Sequence, residues 1–219
     1  MKTPCILTSG FLLGFATLMP AAGQEPVEHR IRAADISYQM QQTPQFAVTG
    51  PKAKSLTRPR EWLEIEVELQ LETVDPTGYI DEIDIEYFVA VTDGNTRRTV
   101  LLTDTLGYLE VNAGERRVYA SAYISPASLA KITGKNRPDR NDITAVAAVI
   151  SAPGLREPAV VTTGGPDGWW KAEKLARVRG MVLPKSQTPF ALLWSDRYPR
   201  DADYKVITPE RKLPEPAAE

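Results

Sequence analysis

Two stretches of strict alternation stand at the centre of the chain. Over residues 62–73 the odd positions read Leu63, Ile65, Val67, Leu69 and Leu71, and the even ones Glu64, Glu66, Glu68, Gln70 and Glu72. A period of two puts the apolar side chains on one face of a strand and the carboxylates on the other. Residues 80–91 repeat the device, with Ile83, Ile85, Tyr87, Val89 and Val91 against Glu82, Asp84 and Glu86. Each stretch predicts a strand with one greasy and one wet face, and together they form the middle of an antiparallel β domain. Paired directly, they would set their acidic faces side by side, and like charges opposite each other destabilise a sheet. They therefore belong to different sheets or have basic strands beside them; Arg97, Arg98, Arg116 and Arg117 can supply the counter-charge.

Weaker patterns fill in the rest. Residues 31–40 alternate only partly and predict a first strand. Asp93-Gly94 is a hairpin signal, turning the chain into 97–103 with Val100 and Leu102 inward. Ala113-Gly114 precedes a strand that points Val118, Ala120, Ala122 and Ile124 inward and Tyr119, Ser121 and Tyr123 outward. Ser125-Pro126 opens a short helix, with Ser as N-cap and Pro at the first helical position, and Gly134 closes it. Residues 142–151 are small and apolar on both faces, as in a central buried strand, and 158–163 make a further strand. Gly164-Gly165-Pro166-Asp167-Gly168 is the stretch of greatest expected flexibility and leads into Trp169-Trp170. Residues 184–198 carry Phe190, Leu192, Leu193, Trp194 and Tyr198, and their prolines disfavour a central strand or a long helix. So many large apolar groups must be covered, which predicts an extended strap packed on the domain with Phe190 and Trp194 as anchors.

Short strands, turn signals every 8–12 residues and a single helix predict an all-β fold, an immunoglobulin-like antiparallel β-sandwich with one short crossover helix. The Cys…Trp…Cys pattern of antibody domains is missing, and no internal repeat or second domain boundary is visible.

Composition adds compartment. Lys2, the apolar run 6–19 and small residues Ala21 and Gly23 before Gln24 read as a secretory signal peptide over 1–23; the run is too short for a membrane span, and no later stretch is long and apolar enough for one. The expected organisation is then a flexible leader (24–30), one domain (31–207) and a disordered Pro- and Ala-rich tail (208–219). Cys5 is the single cysteine and lies in the signal, so disulfides are excluded as staples. Lys2 lies there too, which leaves 25 basic against 28 acidic residues and a net charge of −3. That balance argues against nucleic acid or an anionic membrane as partner.

Candidate chemistry is sparse. His29 is the single histidine, near the mature N-terminus, and nucleophilic triads or zinc sites need more. No catalytic residues, cofactor or metal are expected. Glu64/Glu66/Glu68 and Asp81/Glu82/Asp84/Glu86 have the chemistry for calcium or acid–base work, but alternation alone explains them as solvated faces. Trp169, Trp170, Trp194, Tyr119 and Tyr123 are the candidate ligand or partner surface. They read as a platform for sugars, as closures of the core, or, for Tyr119 and Tyr123, as a covered protein interface.

A resemblance enters with particular stretches. Gly168-Trp169-Trp170, the run Leu183-Pro184-Lys185-Ser186-Gln187-Thr188-Pro189-Phe190, and Trp194-Ser195-Asp196-Arg197-Tyr198 are joined by Ala34-Asp35-Ile36-Ser37-Tyr38 and Trp62-Leu63-Glu64-Ile65-Glu66-Val67. Together they resemble an exported, pilus-associated family of verrucomicrobial bacteria, with a member in a type IV pilus-like locus of a mucin-degrading gut bacterium. The resemblance implies an immunoglobulin-like fold, a periplasmic or outer-membrane location, and other envelope or pilus-locus proteins as partners, with a homo-oligomer also open. It implies no catalysis. The start of the chain differs from a type IV prepilin, whose apolar segment is retained, so an accessory protein is expected rather than a pilin subunit; a glycan-binding module is the alternative.

Overall fold

The computed structural model describes residues 28–45 and 57–202. The signal, the start of the leader and the 208–219 tail lie outside the described residues. In chain order the strands are β1 (His29–Gln42), β2 (Glu61–Thr73), β3 (Tyr79–Thr92), β4 (Thr99–Asn112), β5 (Val118–Ile124), β6 (Ile143–Ser151), β7 (Ala159–Thr163), β8 (Ala176–Val178), β9 (Val182–Pro184) and β10 (Arg200–Asp201), with one helix, α1 (Pro126–Thr133), between β5 and β6.

They form two sheets. One has the order β1-β2-β5-β9; the other has β10-β4-β3-β6-β7, with β8 added parallel to β4. The long strands follow the immunoglobulin arrangement: β1-β2-β5 stand as A-B-E, and β4-β3-β6-β7 as C′-C-F-G. β2 and β3 thus fall in different sheets, the first of the two arrangements that their matching acidic faces allow. β5 lies beside β2 with Glu68 opposite Tyr119, and the neighbouring Arg117 pairs with Glu68 at 3.1 Å.

The core is the space between the two inner faces. Leu63, Ile65, Val67 and Leu69 of β2 meet Ile83, Ile85, Val89 and Val91 of β3 and Val146, Ala148 and Ile150 of β6. Each fully buried aliphatic side chain contributes about 1.5–3 kcal/mol. Two tyrosines place a polar tie inside it. The hydroxyls of Tyr87 and Tyr108 are 2.8 Å apart, and Tyr108 donates to the Ser121 carbonyl of the opposite sheet at 3.0 Å. Burial raises the pKa of both phenols above the ordinary tyrosine value.

α1 forms as its caps dictate. Ser125 Oγ accepts from the Ser128 N–H, Pro126 begins the helix, and Gly134 ends it in a left-handed conformation. Leu129 and Ile132 are the buried side. The β3–β4 hairpin docks against the helix end: the Gly94 N–H donates to the Ile132 carbonyl at 3.1 Å. A Cβ on Gly94 would lie 1.8 Å from the Thr133 oxygen, so only glycine fits.

Several expectations are corrected. His29 and Arg30, assigned to a flexible leader, begin β1, and His29 Nδ1 lies 2.9 Å from Thr73 Oγ1. The hairpin at Asp93-Gly94 has a longer loop than a two-residue turn, because Asp93 Oδ1 accepts from the Asn95 and Thr96 N–H groups and holds the loop open. β4 extends well past residue 103, to Asn112. Asp104, Thr105 and Gly107 hide its alternation, and the left-handed backbone of Glu110 (φ 54°) shifts the pattern by one before Val111. Residues 184–198 are not extended: they hold short 3₁₀ turns at Lys185–Gln187 and Ser195–Arg197. Pro184 ends β9 and Pro189 disfavours a further strand, and the local hydroxyls complete the turns, with Thr188 Oγ1 donating to the Lys185 carbonyl at 2.7 Å.

Candidate functional site

The candidate aromatics separate onto the two outer faces of the sandwich. Trp169 and Trp170 cover the outer face of the β4-β3-β6 sheet. That face presents Phe88, Ala90, Leu101, Ala145 and Ala147, all buried. The tryptophans meet edge to face at 5.9 Å, and Trp170 lies 6.5 Å from Phe88. Trp169 Nε1 donates to Thr162 Oγ1 at 3.0 Å, and Arg177 donates to the Trp170 carbonyl at 2.8 Å. The glycine-rich stretch is a tight turn that brings them back over the sheet. Gly165 has φ 73°, and a Cβ there would lie 2.7 Å from the Trp169 ring. Trp169 and Trp170 are therefore a lid on small apolar residues, and their burial matches the core-closing reading of this pair rather than the sugar platform.

On the other outer face, Glu64, Glu66 and Glu68 of β2 stand opposite Tyr123, Ser121 and Tyr119 of β5. The strap, residues 184–198, lies across them. Phe190 is fully buried, stacked on Tyr123 at 4.9 Å and edge-on to Trp62 at 6.0 Å, distances at which aromatic pairs attract. Tyr123, expected to point outward to a partner, does point outward but is sealed by Phe190 of its own chain. Trp194 stacks on the far side of Phe190 at 6.4 Å and is 47% exposed, so Phe190 alone is a buried anchor.

The acidic face is not the solvated surface that alternation predicts. Glu64 is 4% exposed and accepts from the Tyr123 hydroxyl at 2.6 Å and from Gln39 Nε2 at 2.7 Å. Glu66 accepts from Arg197 at 2.8 and 3.2 Å and from the Tyr198 hydroxyl at 2.7 Å. The Arg197 guanidinium also lies 3.6 Å from the centre of the Tyr119 ring. Arg197 is held above its ordinary pKa, chiefly by its hydrogen bond to Glu66. Burial, then the carboxylate partner, raises the Tyr123 and Tyr198 phenols as well. Lys185 is pushed the other way by burial, against the pull of Asp201 and Glu64; its Nζ donates to the Ala191 carbonyl at 3.1 Å and lies 5.4 Å from the Tyr198 ring.

Two fastenings were invisible in the sequence. Asp104, 7% exposed, accepts at one oxygen from the N–H groups of Gly180, Met181 and Val182 at 2.8–3.2 Å and sets the course of the chain into β9. Asp201 accepts from the Ser186 N–H at 2.8 Å and ties the strap's first turn. A carboxylate capturing consecutive amides leaves no periodic trace. Of the other carboxylates proposed for ion binding, Asp81, Glu82 and Asp84 are exposed on β3 and Glu86 is partly buried. Among the described residues, no group of three or more His, Cys, Asp and Glu is placed to hold a metal ion, and no helix is long and apolar enough to cross a membrane.

The strap face thus consists of carboxylates already engaged by donors of their own chain. What it leaves open is a cleft of about 300 Å³ between β1 and the strap, lined by Gln39 and Gln41 on one side and Trp194, Arg197 and Tyr198 on the other.

Comparison with known proteins agrees with this architecture. Among curated proteins none matches the chain. Among solved structures, a crystal structure of a protein from Akkermansia muciniphila superposes with a TM-score of 0.70 at 26% sequence identity, covering 85% of this chain and 100% of that one. That relative is verrucomicrobial, in line with the resemblance read from the residues. A protein-family model matches residues 22–205, a span that includes every described strand and the strap, and the chain belongs to the family that this model describes.

Proposed function

We propose that the chain is a non-catalytic component of the cell envelope, exported by its N-terminal segment, and that it serves as a structural or accessory module of a type IV pilus-like assembly. The observation that carries this reading is the state of the one face rich in chemistry. Glu64 and Glu66, the pair best placed for acid–base work, are each bonded to two side chains of the same molecule. A general acid or base must reach its substrate, and Glu64 and Glu66 are turned instead to Tyr123, Gln39, Arg197 and Tyr198 of their own chain. With the centres of both sheet faces covered by the chain's own segments, the rims, the strand edges and the exposed acidic end of β3 are the surfaces offered to partners. The location and the pilus association come from the resemblance to the exported verrucomicrobial family.

Chemical cross-linking in the native envelope followed by affinity capture tests the reading. The expected result is recovery with other envelope proteins encoded beside this chain. Turnover of glycosidic or peptide substrates by the purified protein, lost in Glu64→Gln or Glu66→Gln with folding retained, would overturn it.

A further inference from the structure

The cleft beside the strap goes beyond an envelope role, and we infer that it binds a neutral saccharide, one sugar ring lying on Trp194 with its hydroxyls toward Gln39, Gln41 and Arg197. The first ground is the platform. Trp194 is half exposed, yet it is fixed: its ring lies parallel to Phe190, and its carbonyl accepts from the Arg197 N–H at 3.0 Å. Its backbone is left-handed (φ 52°, ψ 38°), a strained conformation for a bulky residue. Strain that holds a large aromatic outward, rather than turning it in, is the kind of outlier that collects at binding sites. The C–H face of a pyranose is apolar and weakly positive, and it matches the negative face of an indole.

The second ground is the set of polar groups around that platform. Gln39 gives one N–H to Glu64 and keeps its amide oxygen and a second N–H. The Gln41 side chain makes no hydrogen bond among the described residues, and it lines the cleft. Arg197 directs Nε and Nη2 to Glu66 and keeps Nη1. Planar amide and guanidinium groups offer adjacent donors and acceptors at the spacing of vicinal hydroxyls.

Charge and size select the class of ligand. The lining sets Glu64 and Glu66 against the one cation Arg197, which disfavours an anionic ligand, and each carboxylate is already hydrogen-bonded within the chain, Glu66 by Arg197 and Glu64 by Tyr123 and Gln39, which favours a neutral ligand over a cationic one. A volume of about 300 Å³ sits at the small-molecule end of binding sites. A stable protein interface needs roughly 800 Å² per partner around an apolar centre. Here the large exposed apolar groups of the strap are Trp194 and Leu192, and Leu192 is outside the cleft.

The test is a glycan array of neutral glucose-, galactose-, mannose- and N-acetylhexosamine-terminated oligosaccharides probed with the full chain, then calorimetric titration of the best binder. Expected is saturable binding that weakens roughly tenfold or more in Trp194→Ala, weakens in Gln41→Ala, and is unchanged in Leu192→Ala. Gln41 is partly exposed and unbonded, so that variant reports on binding whether or not Trp194→Ala disturbs the strap. Absence of binding to every neutral sugar, binding to acidic glycans alone, or binding untouched by Gln41→Ala would overturn the inference. Loss of a captured protein in Leu192→Ala, with no sugar bound, would assign the surface to a protein partner instead and overturn it too. None of these results bears on recovery with envelope proteins, which tests the envelope role separately.

Discussion

The two outer faces of this sandwich are each covered at the centre by the last third of the chain, in opposite ways. One face is small and apolar, and its cover is two tryptophans delivered by a glycine turn. Contact there is shape and dispersion, with one indole N–H satisfied by Thr162. The other face carries carboxylates and tyrosines, and its cover brings Arg197, Tyr198 and Lys185 along with Phe190. A buried carboxylate is costly unless hydrogen-bonded, so this cover must supply donors in number as well as apolar area. The polarity of a sheet face therefore dictates the chemistry of its lid. A dry face accepts a dry lid that is complete; a charged face needs a mixed one, which leaves partly used polar groups at its margin beside β1.

Breaking each lid at its centre has the largest expected effect. Phe190→Ala and Trp170→Ala should each cost about 3–5 kcal/mol, a large part of a typical stability of ~5–15 kcal/mol. Thermal melts give the size, and hydrogen exchange locates the damage. Phe190→Ala should raise exchange over 184–198 and leave 165–178 protected, whereas Trp170→Ala should do the reverse. A native-like melt for either variant would show that its lid is peripheral.

The sequence was most informative where a regular period runs through both the element and its burial. β2, β3 and β5 were legible because their inward positions alternate with Glu or Tyr, and α1 because Ser125, Pro126 and Gly134 mark its ends. What alternation cannot say is whether the second face is wet. Glu64 and Tyr123 read as solvent-facing, and only Phe190, more than sixty residues downstream of Tyr123, makes them interior. The far half of β4 was hidden because Asp104 interrupts its apolar pattern to bind three amides of the chain entering β9. Of the candidate surface, Trp194 is the member left exposed; Trp169, Trp170 and Tyr123 are structural, and Tyr119 serves as the seat of Arg197. Which aromatic stays open depends on backbone conformation at single residues, such as the left-handed Trp194, and composition does not encode it.

A smaller perturbation sharpens the contrast between charged and dry lids. Arg197→Ala removes the pair with Glu66 and the contact over Tyr119. Both charged side chains are partly exposed, so the expected cost is only about 1–2 kcal/mol. That cost should shrink as salt rises from about 0.05 to about 0.5 M, because screening weakens exposed pairs. Trp170→Ala should show no comparable salt dependence. Equal salt responses from the two variants would mean that the strap, too, is held by packing alone.

The smallest effect tests the backbone beneath the open aromatic. Replacing Trp194 by alanine removes a half-exposed ring but keeps a Cβ in the left-handed region, where a side chain costs on the order of 1–2 kcal/mol. Replacing it by glycine removes the same ring and the strain together, at the expense of about 0.4–1 kcal/mol from the greater freedom of the unfolded chain. Elsewhere in an ordered segment alanine is the more stabilising of the two. Here the order should invert, with Trp194→Gly more stable than Trp194→Ala by up to about 1 kcal/mol, read as a higher melting temperature under identical conditions. Alanine equal to or above glycine would show that residue 194 leaves the left-handed region once the indole is gone. The ring's stack on Phe190 would then be what holds the backbone in place, rather than the backbone holding out the ring.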